Sequence, residues 1–149
     1  MNRPFPFPDT DAPLTRPFWE AAEREELAIP RCDACERFHW YPAERCRLCD
    51  GETLRWTPVS GRGTLFSWSV VERAWVKAFA SHAPYAAGLV ALAEDPAVRL
   101  VTRIVDCDPA DLRMEMPVRA VFRPLAFDGV PGEIVAPLFA PATEPRSTE

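Results

Sequence analysis

Alternating apolar and polar positions in the second half of the chain predict a series of short strands. In the segment 63–72, Phe66, Trp68 and Val70 alternate with polar residues, so these three side chains are expected to share one face of a half-buried strand. A capping aspartate followed by a proline predicts one helical turn at 108–115. Further strands are predicted at 86–94, 97–106, 117–124 and 133–141. Four or five strands with one helical turn after the third are typical of a small Greek-key barrel of the oligonucleotide/oligosaccharide-binding (OB) type.

The first thirty residues and the last nine have other patterns. Residues 1–14 are rich in proline and predict an extended arm that is available to a partner. A short amphipathic helix is predicted within 15–30, where a capping threonine is followed by a proline in the first turn. Its neighbouring aromatic residues Phe18 and Trp19 allow two interpretations, packing against the rest of the chain or docking to another chain. A disordered tail is predicted at 141–149.

Two Cys-x-x-Cys pairs predict a zinc ribbon at 31–55. Cys32 and Cys35 form the first pair, and Cys46 and Cys49 form the second. Each pair can aim two sulfur atoms at one point, so together they supply the four thiolates of a tetrahedral metal site. Because cysteine fills all four positions, no ligand position stays open, and the metal is expected to be structural. Two disulfides or a redox pair are the less favoured alternatives, and iron in a rubredoxin-like site would use the same ligands.

Composition and charge narrow the possible functions. A net charge of −5 and a sequence pI near 5.1 argue against general affinity for nucleic acid, because phosphate binding depends on a surplus of basic residues on one face. No run approaches the roughly 18 apolar residues that a membrane span needs. The N-terminus lacks the apolar core of a signal peptide, so a cytoplasmic location is predicted. The predicted fold class is mainly β: a short N-terminal helix, the ribbon, and the barrel at 56–140.

The order of these parts resembles the DUF35 family, in which a rubredoxin-like zinc ribbon is joined to an acyl-CoA-associated OB fold. The resemblance is carried by four stretches: LAIPRCDAC at 27–35, WTPVSGRGTLFSWSVV at 56–71, the pair Pro84–Tyr85, and MPV at 116–118. One departure is visible, since Glu115 stands where the family usually has a glycine before the methionine.

The resemblance implies a partner protein rather than a catalyst. Members of the family look like non-catalytic subunits of thiolase-superfamily enzymes that carry out acyl transfer, thiolysis or retro-aldol cleavage, including steroid side-chain degradation. Some members lie beside a MaoC-like enoyl-CoA hydratase. We therefore expect a hetero-oligomer in which this chain stabilises a thiolase-like enzyme and helps to form its CoA channel.

The segment 72–85 is the candidate contact with a ligand or partner, because it is rich in basic, aromatic and histidine side chains and lies where OB folds commonly bind. Aromatic residues there would cover a pantetheine arm or fill a partner pocket, and basic residues would meet CoA phosphates. An alternative is that the aromatic residues only cap the barrel. The lone histidine is interpreted as structural, and no catalytic residue is predicted. The candidates, in addition to Phe18 and Trp19, are Arg73, Trp75, Lys77, Phe79, His82 and Tyr85.

Two other functions remain as alternatives. A ribbon joined to an OB fold is also used to bind single-stranded nucleic acid, although the negative net charge of this chain weighs against that function. The other alternative is a free-standing protein that binds acyl-CoA without a partner.

Overall fold

A computed structural model describes residues 3–142 of the chain. It contains one α-helix, seven strands and two single 3-10 turns, at Lys77–Phe79 and Pro109–Asp111. Of the tail predicted at 141–149, residues 143–149 lie outside the described part, and the final strand continues through Pro141. The elements are α1 (Arg16–Glu23), β1 (Leu27–Cys32), β2 (Leu54–Val59), β3 (Arg62–Val71), β4 (Tyr85–Leu92), β5 (Arg99–Ile104), β6 (Pro117–Phe127) and β7 (Val130–Pro141).

Five strands form a closed barrel in the order β3-β4-β5-β7-β6. Neighbouring strands are antiparallel except β5 and β7, which run parallel and pair only at Ile104 and Phe139. This strand order and the turn at Pro109–Asp111 after the third barrel strand confirm the predicted mainly β class with an OB-like barrel.

A bulge in β3 changes the faces predicted for its aromatic residues. The register with β4 shifts between Leu65 and Ser67, so Phe66 is the extra residue; it stays 41% exposed. Trp68 packs against the main core. The prediction that Phe66 and Trp68 share a face was wrong, because one inserted residue reverses the alternation.

Strand β1 begins within the range 15–30 that the sequence predicted as helical and ends at Cys32. The helix ends at Glu23, the backbone of Glu25 turns with a φ of 59°, and β1 starts at Leu27. Strand β1 then pairs antiparallel with β2, from Leu27 opposite Val59 to Cys32 opposite Leu54. Periodicity could not separate this strand from the helix, because a short continuous apolar run fits a buried strand and a buried helix equally well.

The helix, the ribbon and the barrel share one apolar core. Phe18 of α1 and Ile29 of β1 belong to the same buried cluster as Leu65, Val90 and Phe139 of the barrel. Within residues 3–142 the ribbon and helix have no separate core, so burial of this shared surface fixes them on the barrel. Of the two interpretations of Phe18, packing within the chain is the one observed.

The proline-rich arm folds back onto the barrel. Phe7 is only 7% exposed and packs edge-on against Phe127, with ring centroids 4.9 Å apart. The guanidinium of Arg3 reaches the Glu133 carbonyl at 3.5 Å. Phe5, by contrast, stays 73% exposed. Along residues 3–142, no helix has the length and apolar character needed to cross a membrane.

Candidate metal centre and partner loop

The two Cys-x-x-Cys turns fold in the same way. In the first, Glu36 has a φ of 63° and its N–H donates to the Cys32 carbonyl at 2.9 Å. In the second, Asp50 has a φ of 60° and its N–H donates to the Cys46 carbonyl at 3.0 Å. A left-handed residue thus reverses the chain directly after the second cysteine of each pair. This local repeat brings the two cysteine pairs to face each other.

The four sulfur atoms have the arrangement that a tetrahedral metal ion needs. All four Sγ atoms lie within 4.8 Å of one another, and the pairs Cys32–Cys49 and Cys35–Cys46 are each 3.6 Å apart. Four thiolates at the zinc–sulfur distance of about 2.3 Å would be separated by about 3.8 Å. The cysteines are free thiols, so the disulfide alternative does not describe this arrangement. The predicted zinc-ribbon geometry is therefore present, with all four ligands supplied by cysteine.

Hydrogen bonds to sulfur shift the pKa values of Cys46 and Cys49 in opposite directions. Burial raises the pKa of the Cys46 thiol, but the backbone N–H groups of Cys49 and Leu48 donate to its sulfur and lower that pKa to about 6. The backbone N–H of Gly51 lowers the pKa of Cys49, whereas hydrogen bonds with the sulfurs of Cys32 and Cys46 outweigh it and raise the pKa to about 12. Because a metal requires thiolates, its binding must release the remaining protons, and its affinity falls as the pH is lowered.

His39, which the sequence analysis left without a role, lies against the cysteine cluster. It is 7% exposed, and its Nε2 lies 3.2 Å from the Sγ of Cys46. Its backbone N–H donates to the carbonyl of Pro30 on β1 at 2.9 Å, which fixes the residue beside the cluster. A ring N–H directed at a ligating sulfur stabilises the thiolate. Its position between the two cysteine pairs was the only signal in the sequence.

The loop between β3 and β4 exposes its central residues. Trp75 is 94% exposed and Val76 is 43% exposed. Arg73 and Lys77 on either side are exposed as well. Three predicted positions of the loop, Arg73, Trp75 and Lys77, therefore present an apolar and basic surface outward.

The end of this loop is anchored on the β6–β7 hairpin. The rings of Phe79 and His82 lie 5.2 Å and 5.4 Å from that of Phe127. Ser81 donates to the Asp128 carboxylate from its backbone N–H at 2.7 Å and from its hydroxyl at 2.6 Å, and these bonds hold the pKa of Asp128 below its usual value. Phe79 thus caps the barrel within the chain, whereas Trp75 does not.

Both ring nitrogens of His82 have hydrogen-bond partners. Its Nε2 lies 2.8 Å from the Ala126 carbonyl, and its Nδ1 lies 2.8 Å from Nη1 of Arg103. A carbonyl only accepts and a guanidinium only donates, so Nε2 carries the proton and Nδ1 accepts. Arg103 also stacks on Tyr85, 4.3 Å from the ring centroid. His82 and Tyr85 therefore meet through Arg103, a residue that the sequence analysis did not select.

Phe18 and Trp19 lie in a different place from the loop. They line an apolar groove of about 290 Å³ between α1 and the barrel, together with Trp40 of the ribbon, Leu138 of β7 and Arg103 of β5. The groove opens where β5 and β7 separate, because those strands pair at a single position. The sequence-predicted residues thus divide among the exposed tip of the loop, its anchored end and this groove. Periodicity gave no signal for the groove, because its walls come from distant segments of the chain.

Family models match both parts of the chain. Residues 19–55 match the model described as the ChsH2 rubredoxin-like zinc ribbon domain, and residues 56–123 match the ChsH2 C-terminal OB-fold domain. A DUF35 domain-containing scaffold protein of Methanocaldococcus jannaschii is 34% identical over 125 residues, which cover 83% of this chain and 86% of that protein. A probable enoyl-CoA hydratase alpha subunit of Thermomonospora curvata is 34% identical over 84% of this chain, but the match spans only 37% of its own length.

Solved structures show the same architecture. A structure described as an Ltp2-ChsH2(DUF35) aldolase has a TM-score of 0.74 and 29% identity, and the match covers 88% of this chain and 96% of that chain. A DUF35 protein of unknown function from Sulfolobus solfataricus has a TM-score of 0.55 at 10% identity, covering 88% and 87% of the two chains, and shows the fold alone. Matched through both its ribbon and its barrel, the chain belongs to the DUF35 family of ChsH2-type zinc-ribbon and OB-fold proteins.

Proposed function

We propose that this chain is a non-catalytic accessory subunit that binds and stabilises a thiolase-like acyl-CoA enzyme. Two similar proteins support this role by their names, a DUF35 scaffold protein and the ChsH2 component of an Ltp2-ChsH2 aldolase. The chemistry of the described residues agrees with it. His39 contacts a cysteine of the metal centre, and His82 is held by Ala126 and Arg103, so neither histidine is placed to act as a base.

The single observation that carries the proposal is the exposure of the loop between β3 and β4. A tryptophan that is 94% exposed, followed by a half-exposed valine, is costly in water and typical of a residue that fills a pocket on a partner. The loop is held at its base by Phe79 and Ser81, so its tip is presented on an ordered support. A preorganised aromatic anchor loses less entropy on binding.

The partner enzyme determines the reaction in this proposal. Acyl transfer, thiolysis and retro-aldol cleavage, including cleavage in steroid side-chain degradation, all act on CoA thioesters. Arg73 and Lys77 would meet CoA phosphates at the interface, while Trp75 would cover the pantetheine arm and so complete a CoA channel. A MaoC-like hydratase is a further proposed partner, in line with the name of the Thermomonospora relative. The proposed location is the cytoplasm, because its reducing conditions would keep the four thiols available to a metal.

Purification of the tagged chain from its own host, followed by mass spectrometry, tests the partnership. We expect a thiolase-superfamily protein in near-equal amount with the wild type and a loss of most of it with Trp75→Ala. Met114→Ala is the matched control, because Met114 is also a large apolar side chain and is 67% exposed, but it lies outside the loop. Recovery of no such enzyme, or equal recovery with Trp75→Ala, contradicts the proposal.

We also propose that the metal is structural Zn²⁺. The four cysteines fit a closed tetrahedral thiolate site, and such a site holds the fold rather than a substrate. Elemental analysis of the purified chain should give about one zinc per chain and little iron. Cys46→Ala should lose most of the metal and melt at a lower temperature, because metal binding and ribbon folding are linked. Cys107→Ala is the control, since this cysteine lies outside the cluster; equal metal content in both variants would refute the assignment.

A further inference from the structure

Arg103 is partly buried without an acidic partner. Within residues 3–142, no carboxylate lies within 4 Å of its guanidinium, which instead donates to Nδ1 of His82 and covers the ring of Tyr85. Arg123, whose side chain is 42% exposed, shows the usual arrangement and pairs with Asp106 at 2.8 Å. Burial lowers the pKa of Arg103, although Tyr85 opposes this effect. Most of the five N–H donors of this guanidinium thus lack a protein acceptor.

The groove beside Arg103 is almost entirely apolar. Phe18, Trp19 and Trp40 form one wall, and Leu125 and Leu138 contribute to the other. The hydroxyl of Thr102 is directed to the Pro137 carbonyl at 3.4 Å, so it offers little to a ligand. An apolar cavity with one convergent charged group is the usual form of a site for a small amphipathic molecule.

We propose that this groove binds a medium-chain aliphatic carboxylate, with the hydrocarbon chain between Trp19, Trp40 and Leu138 and the carboxylate on Arg103. The volume of about 290 Å³ holds about ten groups of the size of a water molecule, each taking roughly 30 Å³, which corresponds to a chain near the length of decanoate. A guanidinium binds a carboxylate through two parallel hydrogen bonds. Charge complementarity therefore selects an anionic chain over a neutral or cationic one.

This site is separate from the accessory role, because it needs no partner enzyme. The test is a titration of the full, metal-loaded chain with decanoate and, in parallel, with decyltrimethylammonium, which has the same chain length and the opposite charge. We expect saturable binding of decanoate with a Kd at least tenfold lower than that of decyltrimethylammonium. Equal affinities, or no saturation with decanoate, overturn the proposal and leave the groove to a segment of a protein partner.

Substitution of Arg103 provides a second test of the proposed carboxylate site. Arg103→Gln should raise the Kd for decanoate about tenfold or more, because it removes hydrogen bonds between charged groups, and should not raise the Kd for the cation. Arg123→Gln is the matched control and should bind decanoate like the wild type. An Arg103→Gln variant with an unchanged Kd refutes the site. If the variant does not fold, the comparison of the two ligands on the wild type decides.

Fluorescence places the ligand in the groove. A bromine at the far end of 10-bromodecanoate quenches a tryptophan that it contacts, and Trp19 lines the groove whereas Trp75 is exposed in the loop. Trp19→Phe should therefore remove a clear part of the quenching that the wild type shows, and Trp75→Phe should not. The reverse result would assign the bound chain to the loop and overturn the proposal.

Discussion

The contact between His39 and Cys46 shows how one side chain outside the ligand set can tune the metal centre. The imidazole Nε2 is 3.2 Å from the sulfur, and the side chain is almost completely buried. A hydrogen bond to a thiolate in a site shielded from water lowers its charge density and fixes its direction. His39 is therefore expected to act on metal affinity rather than on any reaction.

We predict that His39→Phe weakens metal binding about 10-fold to 100-fold while leaving all four ligands in place. Phenylalanine fills a similar volume in the buried site but cannot donate to Cys46. Competition with a chromophoric chelator measures the Kd. His82→Gln is the control, because His82 contacts Ala126 and Arg103 and lies outside the metal centre. Equal metal affinity of the His39→Phe variant and the wild type would show that the contact has no such role.

Glu115 adopts a backbone conformation that ordinarily favours glycine. Its φ is 60°, in the left-handed region that favours glycine, and its N–H donates to the Leu65 carbonyl at 2.8 Å. The left-handed turn before Met116 is thus formed by a glutamate, which carries the conformational cost. The sequence identified Glu115 as unusual but did not show its backbone conformation. Five non-glycine residues in the described part of the chain adopt positive φ, so residue type alone does not predict this conformation.

At the scale of elements, the sequence predicted which segments form strands but not which side chains of a strand share a face. The alternation at 63–72 and the apolar segments that follow it indicated every barrel strand. The bulge at Phe66 and the start of β1 at Leu27 depend on which strand pairs with which. Pairing joins residues that are distant in sequence, so local periodicity carries no information about it.

Gly63, the second glycine of the SGRGTL segment, lies where two barrel strands approach each other closely. A Cβ built on Gly63 would overlap the carbonyl oxygen of Ala91 and would lie 2.8 Å from Cγ1 of Val90. Gly63 faces β4 in this register, opposite Leu92. Only a residue without a side chain allows β3 and β4 to pair at this distance.

We predict that Gly63→Ala destabilises the barrel by about 1–3 kcal/mol, the usual cost of inserting a methyl group into a packed site. Thermal unfolding followed by circular dichroism should show a melting temperature several degrees lower. Ser67→Ala, an exposed position on the same strand, should change stability by less than about 0.5 kcal/mol. A Gly63→Ala variant that melts with the wild type would mean that the strands can separate at this point without cost.

For the whole molecule, the continuous core determines how the functional surfaces are arranged. The ribbon places Trp40 against Phe18, with ring centroids 4.8 Å apart, and the helix places Trp19 over the gap between β5 and β7. The metal ligands were found from sequence because their spacing is local. The groove was not, because its walls come from the helix, the ribbon and three strands that only the tertiary fold brings together.

The distribution of charge over the molecule argues against the alternative of single-stranded nucleic-acid binding. Several surface arginines are neutralised by neighbouring acids, among them Arg37 by Asp95 and Arg55 by Asp33. Such pairs leave little positive potential for a phosphate backbone, and the net charge of −5 repels it.

We therefore predict no measurable binding of a labelled oligothymidylate at about 150 mM salt, which means a Kd weaker than the 10⁻⁴ M upper limit typical of non-specific binding. Fluorescence anisotropy over a series of salt concentrations is the measurement, and any weak association at low salt should disappear as screening increases. Binding in the micromolar range at 150 mM salt, with a steep negative dependence of affinity on salt, would contradict this expectation. Such a result would favour a nucleic-acid function on the barrel over an accessory role beside an acyl-CoA enzyme.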